Sequence, residues 1–172
     1  MADPTPPSAR SADDIKRDPL VARACERAGA AITGAKEFAG EITLAVDRDR
    51  IREVASTFKD DGFNYLVDLS AIDYSKYPNH AGPRFAVAYM LYSFQKNARV
   101  RLKVATDEET PIPSVSSVWR TANWHERETF DLFGVVFDGH PDLRRILLPD
   151  DWQGHALRKD FPLRGYEPYS LK

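Results

Sequence analysis

The sequence predicts an α+β domain: a single small domain with one mainly antiparallel sheet packed by helices, followed by a long extended C-terminal arm. Three observations carry this. Apolar and polar residues alternate over 41–46 and 99–104, the period of half-buried strands. Apolar residues recur at helical spacing at Ile51, Val54, Ala55 and Phe58, and again between 115 and 133. After residue 137 the periodicity stops, yet large apolar side chains continue to the end. The expected division is a disordered segment over 1–18, the α+β domain over 19–137 and the arm over 138–172.

In chain order, residues 1–18 hold three of the twelve prolines and almost no large apolar residue, a composition that cannot build a core. Pro19 to Ala31 reads as a short helix, with Pro19 in the first turn and Gly29 at its end. Cys25 within it reads as a small core residue. Ile42, Leu44 and Val46 then mark a strand. Asp47 is placed to start a helix that Gly62 ends. Asn64–Tyr74 reads as the next strand. Arg84–Phe94 is apolar on both faces, which predicts an interior position in the sheet. In Arg99–Val104, Val100, Leu102 and Val104 alternate with Arg99, Arg101 and Lys103. That basic row reads as a solvated face or charged edge; the alternative is a docking surface for an acidic partner. Ser114 is placed to cap a helix carrying Val115, Val118, Trp119 and Ala122. A second helix, Trp124–Phe133, would start at Asn123, with Glu126 as capping-box partner, and stop at Gly134.

From 138 on there are four prolines, three glycines and six basic against six acidic residues, with Trp152, Leu157, Phe161, Leu163, Tyr166 and Tyr169 interspersed. A disordered tail would be poor in aromatics. Aromatic and Arg anchors dominate interface energetics, so this arm either wraps a partner or packs on its own domain.

With 172 residues, folding can bury about 70% of the unfolded chain's surface, enough for a real core. The net charge of −2 argues against a general nucleic-acid binder. One cysteine leaves no internal disulfide and no Cys₄ iron–sulfur or zinc site. The longest apolar run, Phe85–Tyr92, is far short of the roughly 20 residues that cross a bilayer. The first fourteen residues hold no apolar signal region.

His125, His140 and His155 are 15 residues apart, a spacing with no stereochemical meaning for a metal. A small metal-dependent hydrolase built on them is the competing enzyme reading, and a free-standing adaptor is a third. The stretch HERET at 125–129 begins like HExxH, but Thr129 replaces the second ligand. Glu126 and Glu128, two apart on a helix, do not converge on one substrate, and Arg127 and Asp131 stand at i, i+4. No GxSxG, GxGxxG or GxxxxGK[ST] occurs. These residues favour an interaction protein over an enzyme.

Asn123–Gly134, NWHERETFDLFG, resembles the signature WxEREx(Y/F)DxFG of the C subunit of NADH-quinone oxidoreductase, the bacterial respiratory complex I. Gly139–Leu147, GHPDLRRIL, and Gly154–Leu163, GHALRKDFPL, resemble that family's GHPxLxRIL and GxPLRKDxPL blocks in order and spacing, and Tyr65–Tyr74 resembles its second-strand segment. Ala156 departs from the usual proline. The resemblance covers roughly residue 20 to the end.

It implies a cofactor-free structural subunit of the peripheral arm of a proton-translocating NADH:quinone oxidoreductase. The enzyme activity would belong to the complex, with no catalytic residue in this chain. FMN, iron–sulfur clusters and quinone would be held by other subunits. The implied partners are other complex I subunits, chiefly the quinone-site D subunit, and the implied location is the cytoplasmic face of the bacterial membrane, peripheral and through partners. The alternative is the corresponding subunit of a ferredoxin-linked or hydrogenase-type relative. On this reading Glu126, Arg127, Glu128 and Asp131 orient the helix and the start of the arm. Arg144, Arg145, Arg158, Lys159 and Asp160 make charge-assisted contacts, internal or across an interface. Trp124, Phe133, Gly134, His140, His155, Leu157 and Phe161 complete the signature and interface positions.

Overall fold

A computed structural model describes residues 10–163 and 165. The order of elements is α1 (Ala12–Lys16), α2 (Ala22–Ala28), β1 (Ile32–Phe38), β2 (Glu41–Val46), α3 (Ile51–Asp60), β3 (Tyr65–Asp73), β4 (Phe85–Ser93), β5 (Ala98–Thr106), β6 (Ile112–Pro113), α4 (Ala122–Phe133) and β7 (Phe137–Asp138). Five strands form one sheet in the order β1-β2-β5-β4-β3. All its pairs are antiparallel except β2 with β5. That parallel pair needs a crossover, and α3, β3 and β4 provide it. β6 and β7 form a separate parallel pair. The α+β class is the one the alternation and helical spacing predict, and β4 does lie inside the sheet.

One face of the sheet builds the core. Leu44, Leu102, Tyr89 and Leu69, at most 1% exposed, stand on that face and join Ala24 of α2 and Val54 and Phe58 of α3 in one apolar cluster. Cys25 belongs to it, and burial pushes its thiol up to about 11, which leaves it unreactive. Burying one such large side chain contributes roughly 1.5–3 kcal/mol.

The structure corrects the sequence reading in four places. Residues 10–18 are not disordered: Ser11 caps α1 by accepting from the Asp14 amide at 3.1 Å, and Ile15, 1% exposed, packs into the core. A single buried apolar residue is too little composition to announce a helix. Residues 1–9, the rest of that segment, lie outside the described residues, as do the arm anchors Tyr166 and Tyr169.

The second correction is β1, an edge strand the periodicity does not show. Its inward side holds only Ile32, Ala35 and Glu37, and its hairpin turn is Ala39–Gly40, with φ of 51° and 77°. Such turns normally advertise themselves with Asn-Gly or Asp-Gly; alanine hides this one.

Third, 114–121 forms turns rather than a helix. The Ile112 and Ser114 amides donate to the Val136 and Asp138 carbonyls, committing this stretch to the β6–β7 pair. Fourth, α4 starts at Ala122 with no side-chain cap, and Glu126 does not close a capping box. Its carboxylate accepts instead from Ser114 Oγ and the Val115 amide.

Past β7, residues 139–163 run as turns and loops without helix or strand, and none of them is buried. No helix among the described residues is long and apolar enough to cross a membrane.

Candidate functional site

The signature residues converge where this arm meets α4. A helix leaves its last four carbonyls without intrahelical partners. In α4 all four are satisfied. The Gly134 amide donates to Phe130 O at 2.8 Å. Asp131 O accepts from Arg145 Nη1 at 3.2 Å and lies 2.9 Å from His155 Nδ1. The Leu157 amide donates to Leu132 O at 3.0 Å. Arg158 Nε donates to Phe133 O at 2.6 Å. The arm is thus the C-cap of α4, and it brings Arg145 and Arg158 to the negative end of the helix dipole. Because a carbonyl only accepts, His155 carries its proton on Nδ1. Burial, with Arg158 and Arg145 nearby, lowers its pKa and keeps the ring neutral.

Asp131 is the centre of this junction. Its side chain is fully buried. Oδ2 accepts from the amides of Ile146, Leu147 and Leu148 at 3.0, 2.8 and 2.9 Å, and Oδ1 from Arg145 Nη1 at 2.7 Å. Burial pushes the carboxyl up, but these four donors outweigh it and hold the pKa below its usual value. Arg127 completes the clamp. Its guanidinium donates to Arg144 O and Arg145 O at 3.1 and 3.0 Å and lies 5.3 Å over the Trp124 ring. Arg127 and Asp131 therefore make no i, i+4 pair; each holds the arm.

Gly134 makes this close approach feasible. Its φ is +77°, and a Cβ there would lie 2.5 Å from both Arg158 Nη2 and His155 Nε2.

Farther along, a second buried carboxylate holds the arm. Asp73, at the end of β3, accepts from Arg84 Nη2 and from the Ser75 and Lys159 amides, each at 2.9 Å. Burial opposes ionisation, but these donors hold the pKa of Asp73 well below its usual value. Arg84 also meets Asp160 at 2.8 Å and Glu108. Arg158 reaches Glu108 at 2.8 Å, and its guanidinium lies 5.3 Å over the Phe85 ring. Sequence reasoning missed Asp73, Arg84 and Glu108 as anchor points. The one available signal was that Asp73 lies in the segment Tyr65–Tyr74.

A third cluster sits at the other end of α4. Glu126 is fully buried, accepting from Ser114 Oγ at 2.6 Å and the Val115 amide at 2.7 Å. Burial pushes its carboxyl up to about 7 against those two donors. His140 Nε2 lies 3.1 Å from Asn123 O and 3.9 Å from Glu126 Oε2, while His140 Nδ1 accepts from the Asp142 amide.

Most of the remaining candidates face outward. Trp124 is 60% exposed, and Glu128 is exposed with no side-chain hydrogen bond or ion pair among the described residues. Among those residues the Arg144 side chain pairs with Asp142 alone, and the Lys159 side chain is exposed although its amide is anchored. Leu147 and Leu157 are 59% and 49% exposed. Phe133 is buried, and Phe161 stacks on Trp152 with centroids 6.1 Å apart.

The three histidines stay apart: His125 lies 3.6 Å from Asp68, His140 beside Glu126 and His155 at Asp131 O. No group of three or more His, Cys, Asp or Glu among the described residues could hold a metal ion. The buried carboxylates Asp131 and Asp73 already accept several hydrogen bonds each. Their chemistry is attachment of the arm.

Residues 44–167 match the family described as respiratory-chain NADH dehydrogenase, 30 kDa subunit. Proteins named as the C subunit of NADH-quinone oxidoreductase from Erythrobacter litoralis, Roseiflexus sp. and Geobacter metallireducens are 48%, 48% and 47% identical over 78%, 80% and 84% of this chain. The matches span 53%, 79% and 90% of those proteins, so the chain covers about half the length of the Erythrobacter relative. Among solved structures, a trypsin-resistant fragment of Nqo5 is 39% identical, with a TM-score of 0.60 over 63% of this chain and 88% of that one. A chain of the archaeal membrane-bound sulfane sulfur reductase shares the fold, with a TM-score of 0.72 over 86% of each chain at 24% identity.

Proposed function

The chain belongs to the family of the respiratory-chain NADH dehydrogenase 30 kDa subunit, the C subunit of NADH-quinone oxidoreductase, and on that premise we propose that it is a cofactor-free structural subunit of a proton-translocating NADH:quinone oxidoreductase, docked on the quinone-site D subunit. Its arm, 138–172, lies along that partner. The complex carries FMN, iron–sulfur clusters and quinone elsewhere, and this chain supports electron transfer by holding its neighbours in place. It sits peripherally, on the cytoplasmic face of the membrane, through those partners.

One observation carries this reading: the arm is held by polar groups while part of its apolar surface is left out. Arg145, Arg158 and the amides of 146–148, 157 and 159 point inward, to Asp131, Asp73 and the carbonyls of α4, and of the apolar side chains Leu143 packs on the core while Leu147, Leu157 and Leu163 point outward, the last fully exposed. A segment that merely closed its own domain would turn those side chains in. Trp124 and Glu128 on α4 extend the same outward set. Pre-ordering the arm also lowers the entropy lost on docking.

The test is recovery of the quinone-site partner with the tagged full chain from gently solubilised membranes. Leu147→Asp with Leu157→Asp should cut recovery tenfold or more and leave the chain's own melting transition in place. Undiminished recovery overturns the reading.

A further inference from the structure

The strand register creates a second surface that the arm does not use. With the core on one face of the sheet, the other face is exposed at the end that carries the β1–β2 and β4–β5 turns, while farther along Ala86 and Ala88 are buried and Lys103 Nζ donates to the Tyr74 hydroxyl at 2.7 Å. At the exposed end one cross-strand row can be traced over all five strands. Phe38 pairs with Glu41, Glu41 lies beside Arg99 in the β2–β5 register, Arg99 pairs with Tyr92, and Tyr92 with Tyr65. Phe94, just past β4, packs on Tyr65 and Tyr92 with centroids 5.6 and 4.9 Å away. These are residues of the type that anchor interfaces, yet Phe38 is 77% and Phe94 68% exposed.

Between the two hairpin turns at this end lies a groove of about 640 Å³, bordered by Gly40, Glu41, Tyr92, Asn97 and Arg99. The same face holds four cations, Lys36, Arg99, Arg101 and Lys103, against two carboxylates, Glu41 and Asp68. Glu41 is already paired with Arg101 at 2.6 Å, and Asp68 lies beside His125. A chain with a net charge of −2 thus turns a cationic, aromatic-edged face outward. Five strands about 4.8 Å apart make it roughly 20–25 Å wide, room for one side of a standard interface.

We propose that this sheet face docks a second protein surface, one whose apolar side chains are flanked by Asp and Glu. The aromatic row takes the apolar part and the groove seats it. Lys36, Arg99 and Lys103 meet the carboxylates. This contact is separate from the arm.

Zero-length carbodiimide cross-linking tests it, because the reagent joins an ammonium directly to a carboxylate. It is applied to gently solubilised membranes containing the full-length chain. Links from Lys36 or Lys103 to Asp or Glu of another polypeptide support the proposal. Arg99→Glu should then lower recovery of that polypeptide at least tenfold, and Phe94→Ser about threefold, with melting transitions like that of the parent chain. If Arg99→Glu disturbs folding, Phe38→Ser and Phe94→Ser provide the same reading from exposed positions. Links confined to other copies of this chain, no links from either lysine, or full recovery with the Arg99 and Phe94 variants overturns it.

Discussion

The sheet and the arm solve the same problem, fixing a chain in space, by opposite means. In the sheet, most apolar side chains turn inward and the polar row Arg99, Arg101 and Lys103 turns out beside a few exposed aromatics. In residues 139–163 Leu147, Leu157 and Leu163 turn out, and the segment is held chiefly by charged groups meeting backbone. The first arrangement is non-directional and tolerates repacking. The second depends on a few donors and acceptors, each of which leaves a desolvated partner when removed. Attachment through polar groups is what allows a segment to be ordered while its apolar surface stays available.

The largest expected effect breaks that attachment at its centre. Asp131→Ala orphans three amides and strips Arg145 of its carboxylate, leaving that guanidinium with carbonyl partners alone among the described residues. We expect a loss of about 3–5 kcal/mol, the cost of breaking a buried charge pair, together with rapid trypsin cleavage at Arg144, Arg145 and Arg158. Unchanged protection of those sites would refute the clamp. Since the pKa of Asp131 is depressed, its contribution is fully present above about pH 4, the unfolded value, and is lost as the pH falls through the folded one.

Glu126 reverses that sign and sharpens the contrast. Its folded pKa of about 7 lies above the unfolded value of about 4.3. The folded state therefore keeps a proton the unfolded state has released, and stability falls as the pH rises through that window, levelling off above it. At about 1.36 kcal/mol per unit, the swing is of the order of 4 kcal/mol. Glu126→Gln should abolish it, read as the difference between the two urea-midpoint curves over that pH range. Parallel curves would count against the buried proton.

Gly134→Ala should cost about 1–3 kcal/mol through its positive φ, as seen in thermal unfolding. The arm should loosen first, because the new methyl would displace Arg158 and His155. A variant as stable and as trypsin-resistant as the parent would show that the junction can give way there. The smallest effect belongs to Arg144→Ala, whose exposed pair with Asp142 is worth at most about 1 kcal/mol. A larger loss on urea unfolding would mean that this side chain anchors the arm after all.

Much of the domain is legible in the sequence because burial on a regular element leaves a period. β2, α3, β3, β4 and β5 stand where alternation or helical spacing puts them. Gly134 ends α4 in the left-handed conformation expected of it. The basic row of β5 faces outward, but on a central strand rather than an edge. Elements with little apolar content leave no such trace. α1 has one buried side chain, Ile15, and β1 is an edge strand with a disguised turn. Ser114 and Glu126 each look like local caps because local rules reach only a few residues away; in the fold they bond to each other.

By itself the sequence determined the α+β class, the interior place of β4, the lack of any apolar run able to span a bilayer and, through the blocks at 123–134, 139–147 and 154–163, the family. Only the tertiary structure decided what those blocks do to one another. That Asp131 would gather the amides of 146–148, that Arg158 and Leu157 would close the end of α4, and that Phe38, Arg99 and Tyr65 would share one row are facts about residues 15 to 61 positions apart or brought together by strand register. Periodicity records whether a residue faces inward. It carries no information about which distant donor meets which acceptor, since that is set by the direction of individual hydrogen bonds once the sheet and helix are in place.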